Sequence, residues 1–148
     1  MVNMWPRGIR ARPCTREFYV NFPNLPAPLQ SALAEHGYAA PTDVQAAVLE
    51  TEANDRDLLV SAQTGSGKTV AFGLAFARNV LDQDGKAPNP GAPRALVIAP
   101  TRELALQVSR ELGWLYGKAG GRIATCVGGM NPSHERNVLR SGATIVVG

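Results

Sequence analysis

An α/β protein, a parallel sheet with flanking helices, is what this 148-residue sequence predicts. Two observations carry the prediction. Short apolar runs containing β-branched residues alternate with stretches of helical periodicity, and glycine or proline marks each switch. The resulting order, strand, helix, strand, helix, strand, helix, strand, is that of a parallel sheet built with right-handed crossovers.

Taken in order, "PAPLQSALAEHG" predicts a first helix that opens on prolines, places Leu29 and Leu33 at near-helical spacing with Tyr38, and stops at Gly37 in a left-handed cap. "PTDVQAAVLETEA" predicts a second, with Thr42 as N-cap, Asp43 in the first turn and Val44, Ala47 and Val48 as its apolar face. "DLLVSA" reads as a buried strand leading into a glycine turn, and "KTVAFGLAFARNVL" as a helix with Val70, Leu74, Ala77 and Leu81 in phase. "DQDGKAPNPGAP" is loop. "RALVIA" is the second strand, and "TRELALQVSRELGWLYG" a long helix with Leu104, Val108, Leu112 and Leu115 on one face. "RIATCV" is the third strand, "GGMNPSHERNVLRSG" a turn and short helix, and "ATIVVG" the fourth strand. There is no internal repeat.

Composition narrows the function classes. Hydrophobic residues make up 45% of the chain, enough for one domain with a real core. No run of eighteen apolar residues and no secretory apolar stretch is present, so a soluble, cytoplasmic protein without a membrane partner is expected. Cys14 and Cys126 have no metal or redox spacing and read as ordinary thiols, and His36 and His134 stand alone in helix-like segments. The net charge of +3 owes its sign to Arg7, Arg10, Arg12 and Arg16, which precede the first acid, Glu17. Without them 11 basic residues face 12 acidic ones, so bulk charge is no nucleic-acid footprint. Residues 1–20 are read as a disordered basic tail or an extension from an upstream start, and 21–148 as the folded part.

The chemistry is concentrated in "AQTGSGKT", Ala62 to Thr69, between a strand and a helix. It matches the phosphate-binding pattern G-x-x-x-x-G-K-[ST] everywhere but its first position, which is alanine. Gly65 and Gly67 allow a backbone turn that points several N–H groups at an anion, and the following helix adds its N-terminal dipole. Lys68 supplies a point charge for the β and γ phosphates, and Thr69 a hydroxyl for a magnesium ion. An ordinary strand-to-helix turn needs a glycine but neither the lysine nor the threonine.

Three further segments separate the many kinds of P-loop protein. "GYAAPTDVQ" (37–45) lies ahead of the glycine turn, "PTRELA" (100–105) follows the second strand, and Gly128 and Gly129 follow the third. With these the chain resembles the DEAD-box RNA helicases over about Phe22 to Gly148: a Q motif at 37–45, motif I with its usual initial alanine, motif Ia, and the glycine pair. The resemblance implies the first part of a RecA-like P-loop NTPase domain. It makes Lys68 and Thr69 catalytic and Ala62, Gln63, Thr64, Gly65, Ser66, Gly67, Lys68 and Thr69 the ATP-phosphate loop, with Mg2+ on Thr69. Gln45 would read adenine, since one amide can pair with a donor and an acceptor edge, with Thr42 beside it and Tyr38 packed nearby; alone, Gln45 reads as a solvated helix residue. Phe22 is the candidate for the family's adenine-stacking aromatic, with Phe18 as its rival.

Pro100, Thr101, Arg102, Glu103, Gly128 and Gly129 would contact the sugar-phosphate backbone of RNA without reading bases. Thr101 and Glu103 equally suit a helix start, and Arg102 could serve an internal ion pair. From Thr69 to Gly148 no apolar run ends in paired acids, so the carboxylate motif that gives the family its name, the rest of the domain and a second RecA-like domain are expected beyond these residues. The sequence therefore implies an ATP-dependent RNA helicase as parent. The alternatives are a non-catalytic nucleotide- or RNA-binding module, and a DNA-directed helicase or other P-loop ATPase. An incomplete sheet predicts an uncovered face or open edge and a tendency to aggregate.

Overall fold

The structure, a computed structural model, describes residues 22, 24–50, 56–88 and 91–148; Phe18 and the basic tail lie outside them. Helices α1 (Ala27–Glu35), α2 (Asp43–Leu49), α3 (Lys68–Ala75) and α4 (Ala77–Val80) precede strand β1 (Ala95–Val97). Helix α5 (Arg102–Gly117), strand β2 (Ile123–Thr125), helix α6 (Pro132–Arg140) and strand β3 (Ile145–Val147) follow. The sheet is parallel in the order β1-β3-β2, with Ile145 of β3 opposite Ala95 on one side and Ile123 on the other. Bonds from Gly148 N–H to Val97 (2.9 Å) and Ala99 N–H to Gly148 (2.7 Å) carry the pairing past the strands' carboxyl ends.

The predicted stop of α1 is present, while α2 ends at Leu49, short of the stretch predicted for it. Gly37 has φ +79, Tyr38 N–H reaches the carbonyl of Leu33 (3.0 Å) and Gly37 N–H that of Ala34 (3.1 Å), the paired bonds of a Schellman ending. The segment "KTVAFGLAFARNVL" is broken once, at Phe76 (φ −95, ψ 9), into α3 and α4. Its periodic residues Val70, Leu74, Ala77 and Leu81 are all buried. They pack with Leu29 and Leu33 of α1, Val108, Leu112 and Leu115 of α5, and Ile145 and Val147 of β3. Leu104, expected on the buried face of α5, is partly exposed at the helix's first turn. Helices α3 and α5 cross closely: a Cβ on Gly73 would lie 2.9 Å from a methyl of Leu112, and the buried Tyr116 hydroxyl donates to the Gly73 carbonyl at 2.6 Å.

One element departs from expectation. Asp57–Ala62, predicted as a strand, has no regular structure, and Leu59 is fully exposed. An isolated extended segment has no partner for its N–H and C=O groups, and β3 already has β1 and β2 on its two sides. Apolar content alone therefore does not make it a strand. The other three predicted strands form, each trimmed to three paired residues. One face of β1 is likewise open: Ala95 and Val97 join the core while Leu96 (68% exposed) and Ile98 (80%) face away from it. The uncovered face expected from an incomplete sheet is present.

Candidate functional site

The phosphate loop owes its shape to two residues in the left-handed region, Gly65 (φ +81) and Gly67 (φ +84), the second being the N-cap of α3. Lys68 and Thr69 open α3, so the free N–H groups of that helix end face the loop. Lys68 Nζ donates to the carbonyls of Ala62 and Gln63, each at 2.5 Å. The ammonium is thus held across the loop by acceptors that phosphate oxygens can replace. Ser66 Oγ is buried and has no hydrogen-bond partner among the described residues. An unsatisfied hydroxyl in a loop of convergent N–H groups costs free energy unless a ligand or water engages it. These features fit a phosphate chain.

The loop is pinned from below by α2. Thr42 Oγ donates to the Ser66 carbonyl at 2.9 Å, and Gln45 Nε2 to the Gly67 carbonyl at 3.3 Å, while Gln45 Oε1 accepts from Thr42 N–H at 3.1 Å. Thr42 is the N-cap of α2 and Gln45 its third residue, the spacing that lets one side chain fold back on the helix start. Gln45 is 0% exposed, which corrects the reading of it as a solvated residue when taken alone. In this conformation its amide links α2 to the loop and offers no free edge to a base. A groove of about 650 Å3 lies between α2 and Leu58–Gln63, with Ser66 in its wall.

The two aromatics assigned to the nucleotide are placed elsewhere. Phe22 is 2% exposed in the core beside Leu25 and Leu29, so it presents no face on which a base can stack. Tyr38 is half-buried and stacks on Trp114 of α5, centroid to centroid 5.8 Å, with His36 at 4.0 Å from the same indole. Burial, and then the nearby Glu111 carboxylate, raises the Tyr38 phenol above its ordinary value. Both aromatics pack around α1 and the turn after it.

At the carboxyl ends of the strands the fold joins the other two segments. Thr101 is the N-cap of α5 and accepts from Leu104 N–H at 3.2 Å; Glu103 lies in the first turn, and Pro100, Thr101 and Glu103 are all exposed. Arg102 Nη1 donates to the Gly128 carbonyl at 3.2 Å across 26 residues, and a Cβ on Gly129 (φ +81) would come 2.9 Å from that nitrogen. The bond to a carbonyl takes the place of the ion pair considered for Arg102, whose guanidinium keeps other N–H donors for a ligand.

Sequence reasoning missed the support beneath this turn. Glu135 of α6 accepts from Val127 N–H at 3.1 Å, just before Gly128, and Thr125 Oγ donates to Ser109 Oγ at 2.8 Å, tying β2 to α5. An acid in the first turn of α6 was the one visible signal. The Cys126 thiol is pushed up by burial first and by Glu135 second, which makes it less reactive and agrees with an ordinary thiol. Among the described residues no three His, Cys, Asp or Glu side chains gather as a metal site, and no helix is long and apolar enough to cross a membrane.

Comparison with known proteins yields consistent likenesses. The profile of the DEAD/DEAH box helicase family matches residues 42–148. The chain is 38% identical over 130 residues to the ATP-dependent RNA helicase dbp3 of Aspergillus terreus, covering 86% of this chain and 26% of that protein. It is also 38% identical over 117 residues to the probable ATP-dependent RNA helicase DDX46 of Homo sapiens, covering 79% of this chain and 11% of that one. Among solved structures it is similar to the RNA helicase Prp28 of Chaetomium thermophilum bound to ADP (TM-score 0.70, 34% identity, 82% of this chain and 30% of the other). A DEAD box protein of Methanococcus jannaschii is similar too (TM-score 0.71, 31% identity, 84% and 32%). The chain thus spans about a quarter or less of these two curated relatives and about a third of these solved chains.

Proposed function

The chain belongs to the DEAD/DEAH box helicase family, and from that premise we propose that it is the ATP-binding and part of the RNA-binding surface of an ATP-dependent RNA helicase. One observation carries the reading: a phosphate loop with two left-handed glycines, a lysine across its mouth and an unpartnered buried serine, anchored from α2 through Thr42 and Gln45. ATP is the family's nucleotide. Magnesium, when bound, would neutralise phosphate charge, and Thr69, in the first turn of α3, would offer it a hydroxyl. Lys68 would exchange its two carbonyl acceptors for phosphate oxygens.

RNA would lie across Thr101, Arg102, Gly128 and Gly129, where one charge, one hydroxyl and two glycines allow close approach to a sugar-phosphate backbone and no side chain reads a base edge. Binding there is sequence-independent. In the whole helicase, ATP and RNA would bind cooperatively, hydrolysis would be RNA-stimulated, and short duplexes would be separated locally. A cytoplasmic location, as expected from the sequence, belongs to the same proposal.

The test is ATP hydrolysis by a protein in which this chain is joined to the rest of its helicase. Hydrolysis stimulated by RNA and abolished by Lys68→Ala is the expected result; hydrolysis indifferent to RNA refutes the assignment. A second reading, a binding module without catalysis, rests on the absence from Thr69 to Gly148 of an apolar run ending in paired acids. On that reading the 148-residue chain binds ATP but hydrolyses it no faster than its Lys68→Ala variant.

A further inference from the structure

We infer that the solvent face of α6 is a second RNA-backbone contact surface, running from the Gly128 turn to the amino end of the sheet. The observation is a set of arginines at the head, along the solvent side and at the foot of one helix. Arg102 stands at the head of α6, bonded to Gly128. Arg136 and Arg140, one turn apart, are exposed on the side of the helix opposite Glu135 and Val138, which face β2 and are half-buried. At the foot, Arg122 donates from Nη1 to the Ser141 carbonyl (2.6 Å) and from Nη2 to the Ser141 hydroxyl (3.0 Å), beside Arg140.

The remaining members of that face, Ser133 and Asn137, are uncharged hydrogen-bonding residues, and Ser133 Oγ accepts from Arg136 at 3.3 Å. The acid of α6, Glu135, points the other way, onto Val127 N–H. Among the described residues the one ion pair is Lys118 with Glu35, so none of the four arginines is neutralised by a carboxylate. A favourable interaction with the end of α6 accounts for Arg122 and Arg140. It accounts neither for Arg136 nor for the lack of acids along the face.

A ligand for this set must offer a row of negative charges and ask for no apolar contact. Arg136 and Arg140 are separated by about 6 Å along the helix axis, of the order of the separation between neighbouring phosphates on an extended strand. A nucleic-acid backbone fits better than a protein partner, whose binding would call for buried aromatic or aliphatic anchors. The proposal rests on the RNA reading of the Arg102 and Gly128 turn, which a strand would cross before descending α6.

The experiment measures binding of fluorescent oligouridylates of about 5 and about 20 nucleotides to the 148-residue chain over a range of KCl concentrations. Each phosphate contact on a single strand contributes about 0.7 to the slope of log affinity against log salt. The R122Q/R136Q/R140Q variant should lower that slope by about 2 for the long strand. Because Arg122 also holds Ser141, the R136Q/R140Q variant is measured as well, with a thermal melt as the check on folding; its slope should fall by about 1.4. A folded double variant with the wild-type slope overturns the inference, as does displacement of the long strand by poly-glutamate at equal charge concentration, which would assign the face to acidic protein segments. An Arg102→Ala variant that keeps the wild-type slope while R136Q/R140Q lowers it would remove the Arg102 turn from the proposed function and leave the α6 surface standing. Failure of both strands to bind would sink both.

Discussion

The side-chain amide of Gln45 donates to the carbonyl of Gly67 at 3.3 Å, joining α2 to the left-handed residue on which the phosphate loop turns. Gln45 is fully buried and its truncation removes two hydrogen bonds at once, that to the Gly67 carbonyl and that from Thr42 N–H. Gln45→Ala should lower stability by about 1–3 kcal/mol and weaken ATP binding, read by a thermal melt and by titration of a fluorescent ATP analogue. Gln45→Glu should be at least as damaging, since a carboxylate keeps the bond from Thr42 N–H but repels the Gly67 carbonyl. A Glu variant as tight for ATP as wild type would show that the link does not shape the loop.

The same pair separates two glycines that the sequence treats alike. Both Gly65 and Gly67 have positive φ, so an alanine at either costs about 1–2 kcal/mol in backbone strain. A Cβ on Gly65 meets nothing within 4 Å, whereas on Gly67 it lies 2.5 Å from Gln45 Nε2. Gly67→Ala should therefore be the more destabilising, and the excess should shrink when Gln45 is also alanine. Equal effects in both backgrounds would contradict the steric account.

Tyr116 makes folding sensitive to alkali. Burial raises its phenol far above the ordinary 10.0 while its hydroxyl donates to Gly73. With the folded pKa above the unfolded one, the contribution is intact below about pH 10 and declines as pH rises beyond it, where only the unfolded chain ionises easily. Tyr38 shifts in the same direction. Tyr116→Phe should lower stability at neutral pH by about 1–3 kcal/mol and flatten the loss above pH 10. Chemical denaturation at several pH values measures both, and an unchanged alkaline slope would remove Tyr116 as its source.

Arg102 should matter to RNA and not to ATP. Arg102→Ala removes one cation and frees the Gly128 turn; the salt slope for a short RNA should fall by about 0.7, with nucleotide affinity unchanged. Arg102→Lys keeps the charge but not the fork that serves a carbonyl and a phosphate together, so it should recover only part of the loss. Full recovery would reduce the role of Arg102 to charge alone.

Exposed apolar residues should govern solubility more than stability. Leu59 is 101% exposed and Leu96 and Ile98 are 68% and 80% exposed, so lysine at these positions disturbs no buried contact. Leu59→Lys with Leu96→Lys and Ile98→Lys should reduce self-association in light scattering while leaving the melting temperature within a few degrees. A large drop in melting temperature would place these side chains in a core.

How far the sequence reaches can be judged from these residues. The buried faces of α1 and α3, the Schellman stop at Gly37, the N-cap at Thr101 and the glycine turn before Lys68 were legible, because each rests on interactions within a few residues or on a repeat of fixed period; the face of α2 was not, since Gln45 and Val48 are buried there while Ala47 is exposed. Phe22 and Tyr38 were assigned to the nucleotide, yet one is spent on the core and the other on Trp114. Nothing in the local sequence tells an aromatic that packs from one that stacks on a ligand. The segment Asp57–Ala62 was apolar enough for a strand, but pairing needs a neighbouring strand, and both edges of β3 are taken by β1 and β2 while the segment is paired with neither of those.

By itself, then, the sequence determined the α/β class, the phosphate loop and the family, since these depend on local conformation and on motifs in a set order. Tertiary structure alone decided that Gln45 is a buried strut beneath Gly67, that Arg102 meets Gly128 across 26 residues, and that Arg122 joins the arginines of α6 at its foot. Each of those relationships is a distance between residues far apart in the chain, fixed by the packing of α2, α5 and α6 against the loop and the sheet.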